Sequence, residues 1–300
     1  MRKRILQYIQ YLLVVLAGLI LRRFPQRMAV AFGALVGRLL YRVDKKHREL
    51  ALKNIKLSFP EKEEEKLKVF IKTVFINIGR SFVEFLFNPK FTNKERLFNT
   101  VKVEGEDNLR AALRKGKGAL VIVPHFGNWE LGGMVYPHLF LCMAIAFPQS
   151  NPFTDKLIVK YRKLTGLRVI YTGDTIREIL RTLKRNEGVG LLADQDAAFD
   201  GVFVDLFGRK AGTKRGPAVL ALKTGAPLLM TFMVREKDNL HHRMIIEKEL
   251  EIKRTGDFEA DVLVNTQRWA KMLEDYVRKY PDQWLWVHDR WKSRPEDFKK

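Results

Sequence analysis

The sequence predicts an α/β domain with a parallel or mixed central sheet, entered through an apolar N-terminal helix. Three observations predict it. From about residue 101 short β-rich runs alternate with helical ones. An apolar run, ILQYIQYLLVVLAGLIL, opens the chain at residues 5–21. Two chemically active residues, His125 and Asp194, stand directly after buried runs, where ligands of open α/β sheets collect.

Composition narrows the class. The 300 residues allow one large domain or two small ones, and 46% hydrophobic content excludes a disordered chain. Lys and Arg number 55 against 34 Asp and Glu, a formal charge of +21, which implies an anionic partner: nucleic acid, acidic lipid head groups or an acidic carrier protein. The single cysteine, Cys142, excludes an internal disulfide, and its place in LCMAIAF reads as core packing rather than nucleophile.

The N-terminus favours the lipid. MRKR precedes the apolar run and RRFPQR follows it, with no small-residue cleavage site, so the run reads as a retained anchor over residues 1–24. A buried helix of a soluble core is the alternative. MAVAFGALVGRLL, residues 28–40, is also apolar and helical in pattern. Residues 1–48 hold eleven Lys or Arg and one acidic residue, the composition of a helix on or in an anionic membrane face. Residues 61–88 begin acidic and continue with apolar residues at helical spacing, after Pro60. The helical part therefore extends to about residue 100.

In the α/β part, residues 118–124, 141–147, 168–172, 188–194, 202–207 and 227–234 read as strands, and 242–252 as a half-exposed strand. Residues 152–164, 175–185, 213–224 and 257–280 read as helices.

The chemistry concentrates in VIVPHFGNWELGG, residues 121–133. A histidine at a sheet rim can act as a general base near neutral pH once something orients it. Glu130 is the nearest acid in sequence. On an unbroken helix, residues five apart diverge by roughly 140°. The two side chains can meet only if His125 precedes a helix that holds Glu130 in its early turns, an entry that Pro124 and Gly127 permit. Spacing alone leaves open a loop histidine beside a first-turn glutamate that merely complements the helix dipole.

HFGNWELGG resembles the H-x4-D/E signature of glycerolipid acyltransferases and, more specifically, the lipid A biosynthesis lauroyl/myristoyl acyltransferase family. LLADQDAAFDGVFVDLFGRKAGTKRGPAVLALKTGAP and PDQWLWVHDRWKSRP resemble two further blocks of that family, in order, so the resemblance spans essentially the whole chain. It departs at Asp289, where a cation is common. The resemblance implies a mixed sheet flanked by helices in an acyltransferase domain over residues 25–300, behind the anchor, on the cytoplasmic face of the inner membrane. It implies transfer of a fatty acyl group from an acyl carrier protein thioester to a hydroxyl of a Kdo-bearing lipid A precursor. His125 would be the base and Glu130 its orienting partner, with no acyl-enzyme, no role for Cys142 and no cofactor beyond the acyl carrier co-substrate. Asn128 or backbone N–H groups would face the oxyanion.

Arg162 resembles a substrate-site cation. Asp194, Gln195 and Asp196 end a strand; no metal-ligand spacing accompanies them, so hydrogen bonding to the acceptor or around His125 is expected. GRKAGTKRG, with Lys210, suits phosphate groups or is a solvated basic turn. Thr213 reads as a helix N-cap or a substrate contact. Trp284, Trp286 and Trp291 suit a membrane interface or the core equally. His138, His241 and His242 show no partner pattern. A related enzyme with a phospholipid or glycolipid acceptor, such as a phosphatidylinositol mannoside, carries nearly the same motifs. A tethered nucleic-acid-binding protein is the reading of another class; no helix-turn-helix, RNP-like or zinc pattern supports it, and nucleic acid is not expected as a partner.

Overall fold

The computed structural model describes residues 2–140, 142–171, 175–197 and 200–298. Five helices lead: α1 (Arg2–Leu21), α2 (Gln26–Val43), α3 (Lys45–Ser58), α4 (Glu64–Phe87) and the short α5 (Lys94–Thr100). The α/β part then runs β1 (Val101–Glu104), α6 (Glu106–Leu113), β2 (Ala119–Ile122), α7 (Trp129–Leu139), β3 (Cys142–Ala146), α8 (Pro152–Arg162), β4 (Arg168–Tyr171), α9 (Thr175–Lys184) and β5 (Gly188–Leu191). It closes with β6 (Gly201–Leu206), β7 (Arg209–Lys214), α10 (Gly216–Thr224), β8 (Leu228–Arg235), β9 (His242–Ile246) and α11 (Phe258–Lys279). Leu141 and Thr172, expected to be strand residues, lie outside the described residues.

Seven strands form one mixed sheet in the order β1-β9-β8-β2-β5-β3-β4. Strands β8, β2, β5, β3 and β4 are parallel neighbours, whereas β9 runs antiparallel to β8 and carries β1 beside it. The central strands β2, β5 and β8 are buried along their whole length, as parallel strands covered on both faces require. Side chains alternate across β2. Leu120 and Ile122 join the core built with Ile55, Ile71, Trp269 and Leu273, and Ala119 and Val121 join the core built with α7.

One expectation is corrected here, and one open alternative is decided. The basic stretch at 208–216 is neither a flexible loop nor a helix start, because Arg209–Lys214 is a strand paired antiparallel with Gly201–Leu206. Thr213 sits buried inside that strand, where its hydroxyl bonds the Ala211 carbonyl at 2.9 Å, and the following helix begins only at Gly216, just before Pro217. The tryptophans belong to the core: Trp284, Trp286 and Trp291 are buried and pack around Phe207. Strand β9 also ends earlier than expected, although Glu247 and Leu250 still bond β8 through their backbone N–H groups.

Candidate active site

The register of β2 and β5 builds the centre. Ile122 pairs with Leu191, and the Val123 N–H donates to the Leu191 carbonyl at 2.9 Å. His125 and Asp194 each lie three residues beyond that last pair, at the carboxyl ends of adjacent parallel strands, which stand roughly 4.8 Å apart. Their side chains meet there. His125 Nδ1 bonds Asp194 Oδ1 at 2.8 Å, and the His125 backbone N–H donates to Asp194 Oδ2 at 3.0 Å. The Trp284 indole N–H donates to the same Oδ2 at 2.9 Å. Burial alone would push the Asp194 carboxyl up. The charge on His125 and the hydrogen bonds from His125 and Trp284 outweigh it and bring the group down to about 2. An ionised Asp194 accepts, so Nδ1 of His125 carries a proton, and in the neutral form of the ring Nε2 holds the lone pair. The His125 ring stands edge-to-face on Trp129, with ring centres 5.0 Å apart.

His125 does precede the helix and Glu130 does lie in its first turn, but the two side chains do not pair. Glu130 forms a bidentate ion pair with Arg162, the last residue of α8, at 3.0 and 2.5 Å. The reason is directional: the first turn of α7 aims Glu130 at the end of α8, while the carboxylate that reaches His125 arrives from the adjacent strand. Arg162 is thus beside the site, held by Glu130, and that pair keeps its guanidinium protonated against the cost of burial.

Asn128 is also placed otherwise than expected. It is buried, its Oδ1 accepts from the Leu131 N–H at 3.0 Å as the N-cap of α7, and its amide donates to Glu84 at 2.8 Å. The cap leaves the backbone N–H groups of Trp129 and Glu130 without a protein acceptor among the described residues. Gly127 allows the chain to enter this turn. Its φ is +57°, and a Cβ there would lie 1.7 Å from the Met233 carbonyl oxygen.

Glu84 was not anticipated. It is buried on α4 with Arg235, which donates to it at 2.8 and 2.6 Å, and with His242 at 3.1 Å. Burial pushes the Glu84 carboxyl up, but Arg235 and His242 bring it down to about 2, whereas burial holds His242 below its usual range. Arg235 also bonds Ser81 at 3.0 Å, and its backbone exchanges two hydrogen bonds with the Gln283 side chain. The signal for Glu84 was present in the sequence: one acid on an otherwise apolar stretch, SFVEFLF.

The remaining candidates divide. Asp196 is an internal fastener; its N–H donates to His288 Nε2 at 3.0 Å, and its carboxylate accepts from Ser293 at 2.8 Å. Gln195 is half-buried next to Asp194. Thr213 accepts from the buried Arg290 at 2.5 Å. Lys210 pairs with Asp205 at 3.2 Å on the exposed part of the β6–β7 hairpin. Lys214, at the end of this hairpin, has its Nζ 4.9 Å from the Phe147 ring, and burial holds its ammonium below the usual range against the opposing charges of Asp194 and Asp200. Among the described residues, no three His, Cys, Asp or Glu side chains gather as a metal site.

A cavity of about 450 Å³ lies next to the His125–Asp194 pair; His125 and Asp194 do not line it, but Trp129, which packs on His125, and Trp284, which bonds Asp194, do. Gly127–Glu130 and Trp284 form one end, and Val14 of α1, Phe82 and Phe85 of α4, and Leu157 of α8 form apolar walls. An oriented imidazole with a free nitrogen, unpaired helix N–H groups and an apolar cavity can together deprotonate a hydroxyl and receive a hydrocarbon chain.

Comparison with known proteins finds relatives along most of the chain. The family model described as bacterial lipid A biosynthesis acyltransferase matches residues 1–293. The chain is 30% identical over 275 residues to the lipid A biosynthesis palmitoleoyltransferase of Escherichia coli (strain K12), covering 91% of this chain and 88% of that one. It is 25% identical over 277 residues to the lipid A biosynthesis lauroyltransferase of the same organism, at 91% and 88% coverage. It is 28% identical over 201 residues to the phosphatidylinositol mannoside acyltransferase of Mycolicibacterium smegmatis, at 65% and 64% coverage.

Proposed function

The chain belongs to the bacterial lipid A biosynthesis acyltransferases, and from that premise we propose that it moves a fatty acyl group from an acyl carrier protein thioester to a hydroxyl of a Kdo-bearing lipid A precursor, at the cytoplasmic face of the inner membrane. The observation that carries the mechanism is the 2.8 Å bond between His125 Nδ1 and Asp194, beside an apolar cavity. Nε2 of His125 takes the proton of the acceptor hydroxyl as its oxygen attacks the thioester carbonyl. The charge that develops on the carbonyl oxygen is met by the Trp129 and Glu130 backbone N–H groups. Collapse of the tetrahedral intermediate breaks the C–S bond, and the imidazolium returns the proton to the departing thiolate. Asp194 holds the ring and stabilises the imidazolium, the role first expected of Glu130. Glu130, held by Arg162, lines the cavity and positions the substrate there.

The apolar walls support a fatty chain as the transferred group. The excess of cations supports an acidic carrier and anionic lipid as partners, and Lys214 is suited to a substrate phosphate. The phosphatidylinositol mannoside acyltransferases among the relatives support a second acceptor, a mannosylated phospholipid. The test incubates purified enzyme with acyl carrier thioester and either acceptor, following product mass and thiol release. Acylation of the Kdo-bearing precursor, lost in His125→Ala by about a thousandfold or more, is expected. Wild-type turnover in His125→Ala would overturn the mechanism, and acylation of the mannoside alone would overturn the acceptor.

A further inference from the structure

Helix α1 is not free to act as a simple transmembrane tether. It is fastened to the catalytic domain at both ends. Near its start, the Gln7 amide donates to the Ser150 carbonyl at 2.9 Å, and Asn151 donates back to the Gln7 carbonyl at 2.9 Å. The Tyr8 ring meets Phe153 edge-on, and the Tyr11 ring lies tilted beside it. Just past its end, Arg22 donates to the Leu86 carbonyl at 2.9 Å and to the Tyr161 hydroxyl at 3.0 Å. Gln7, Tyr11, Val14 and Gly18 follow helical spacing, so one face of α1 lies along the domain. Gly18 meets Leu86, and Val14 lines the cavity. The opposite face carries Ile5, Ile9, Leu12, Leu13 and Leu16, all about half-exposed.

Helix α2 continues that surface. Met28, Phe32, Leu35, Leu39 and Val43 are 48–66% exposed. At 3.6 residues per turn they fall within an arc of about 80°. The reverse face cannot rotate to cover them, because Gly33 and Gly37 interlock with Gly79 of α4. A Cβ on Gly37 would lie 2.3 Å from the Phe75 carbonyl oxygen, and one on Gly79 would lie 2.3 Å from that of Gly33. Exposed Arg27, Arg38 and Arg42 flank the apolar arc on one side. Phe82, one turn from Gly79 on α4, is half-exposed and lines the same cavity as Val14.

We propose that α1 and α2 together form a monotopic docking face that sinks into one leaflet of an anionic bilayer, with neither helix crossing it, and that the acyl cavity opens into that leaflet between α1, α4 and α8. A helix pinned at Gln7 and at Arg22 to polar atoms of the domain cannot stand across about 30 Å of hydrocarbon without drawing those atoms in. The cation excess of residues 1–48, eleven to one, fits acidic head groups. Only the use of the cavity rests on the acyltransferase reading; the docking face stands apart from it.

The test uses the full chain and two measurements that need no turnover. Flotation with vesicles of phosphatidylglycerol and phosphatidylethanolamine is expected to recover the protein, and neutral phosphatidylcholine vesicles to recover roughly tenfold less. Phe32→Glu with Leu35→Glu is expected to lower partitioning by about tenfold or more, with an unchanged thermal melt. For topology, Lys3→Cys and Lys45→Cys are each treated with a membrane-impermeant maleimide. Native Cys142 is buried with its thiol pushed up to about 12, and stays silent. Both introduced cysteines are expected to react in inverted vesicles and neither in spheroplasts. Labelling of Lys3→Cys only from the periplasmic side would show a spanning α1 and overturn the proposal. Flotation unaffected by the α2 substitutions would also overturn it, as would a dimer that those substitutions convert to monomer, which would make the stripe an interface between copies. If docking holds while His125→Ala remains active, the chemistry is wrong and the docking face is not.

Discussion

Asp194 and Glu130 are both carboxylates within one site, and their partners separate their roles. Asp194 receives the Nδ1 proton of His125, whereas Glu130 is occupied by Arg162. Asp194→Asn removes the anion that fixes the tautomer, so kcat is expected to fall by about 10²–10⁴ with KM little changed. Glu130→Gln can still accept from Arg162, and its effect is expected in KM and below about tenfold in kcat. Steady-state kinetics on acyl carrier thioester decide it: a larger kcat loss in Glu130→Gln than in Asp194→Asn would return the orienting role to Glu130. Strand ends and motif mark both residues as candidates. Their pairing was not legible, since it depends on the register of β2 against β5, nearly seventy residues apart in the chain, and a motif read along the sequence favours the neighbour five residues away. Asn128 misled for a related reason: its side chain is spent on capping its own helix and on Glu84.

At the scale of elements, α4 ties the helical part to the site through Glu84. Its carboxylate touches Arg235 of β8, His242 of β9 and Asn128, the cap of α7. With a folded value of about 2 against an unfolded one near 4.3, Glu84 contributes stability that is complete above about pH 4.3 and lost as pH falls toward 2. Chemical denaturation across that window is expected to show a steep acid limb in the wild type that is flattened in Glu84→Gln. The same variant is expected to lose roughly 3–5 kcal/mol at neutral pH, because Arg235 is left buried and uncompensated, and pairing it with Arg235→Met is expected to restore part of that loss. An equal acid limb in both proteins would remove Glu84 from the account. The wall shared by α1, α4 and α8 gives a second expectation. Leu157→Trp fills cavity volume, so mass spectrometry of products from a mixture of acyl carriers should shift toward shorter chains. The helix and strand periods that located most of these elements are local. They find β6 but miss β7, because RKAGTK is too polar to read as a strand until Ala211, Gly212 and Thr213 are buried beside β6.

Across the whole molecule, the charge of +21 is far from balanced by internal pairing, and much of it is exposed. An acidic carrier protein would be drawn to such a surface over distances comparable to the Debye length, about 10 Å at 0.1 M salt, so its encounter should weaken as salt is added. The proposed chemical step takes place at His125, against the buried Asp194, and should not respond. Raising ionic strength from roughly 0.05 to 0.3 M is therefore expected to lower kcat/KM for acyl carrier thioester by about tenfold or more, with kcat nearly constant. A neutral N-acetylcysteamine thioester of the same fatty acid, which offers the chain but no carrier surface, is the control and should show almost no salt dependence. Detergent micelles, rather than vesicles, keep the acceptor's own docking out of the comparison. Equal salt dependence for both donors would place the electrostatics on the acceptor or on the fold, and the cation excess would then have to be explained by lipid alone.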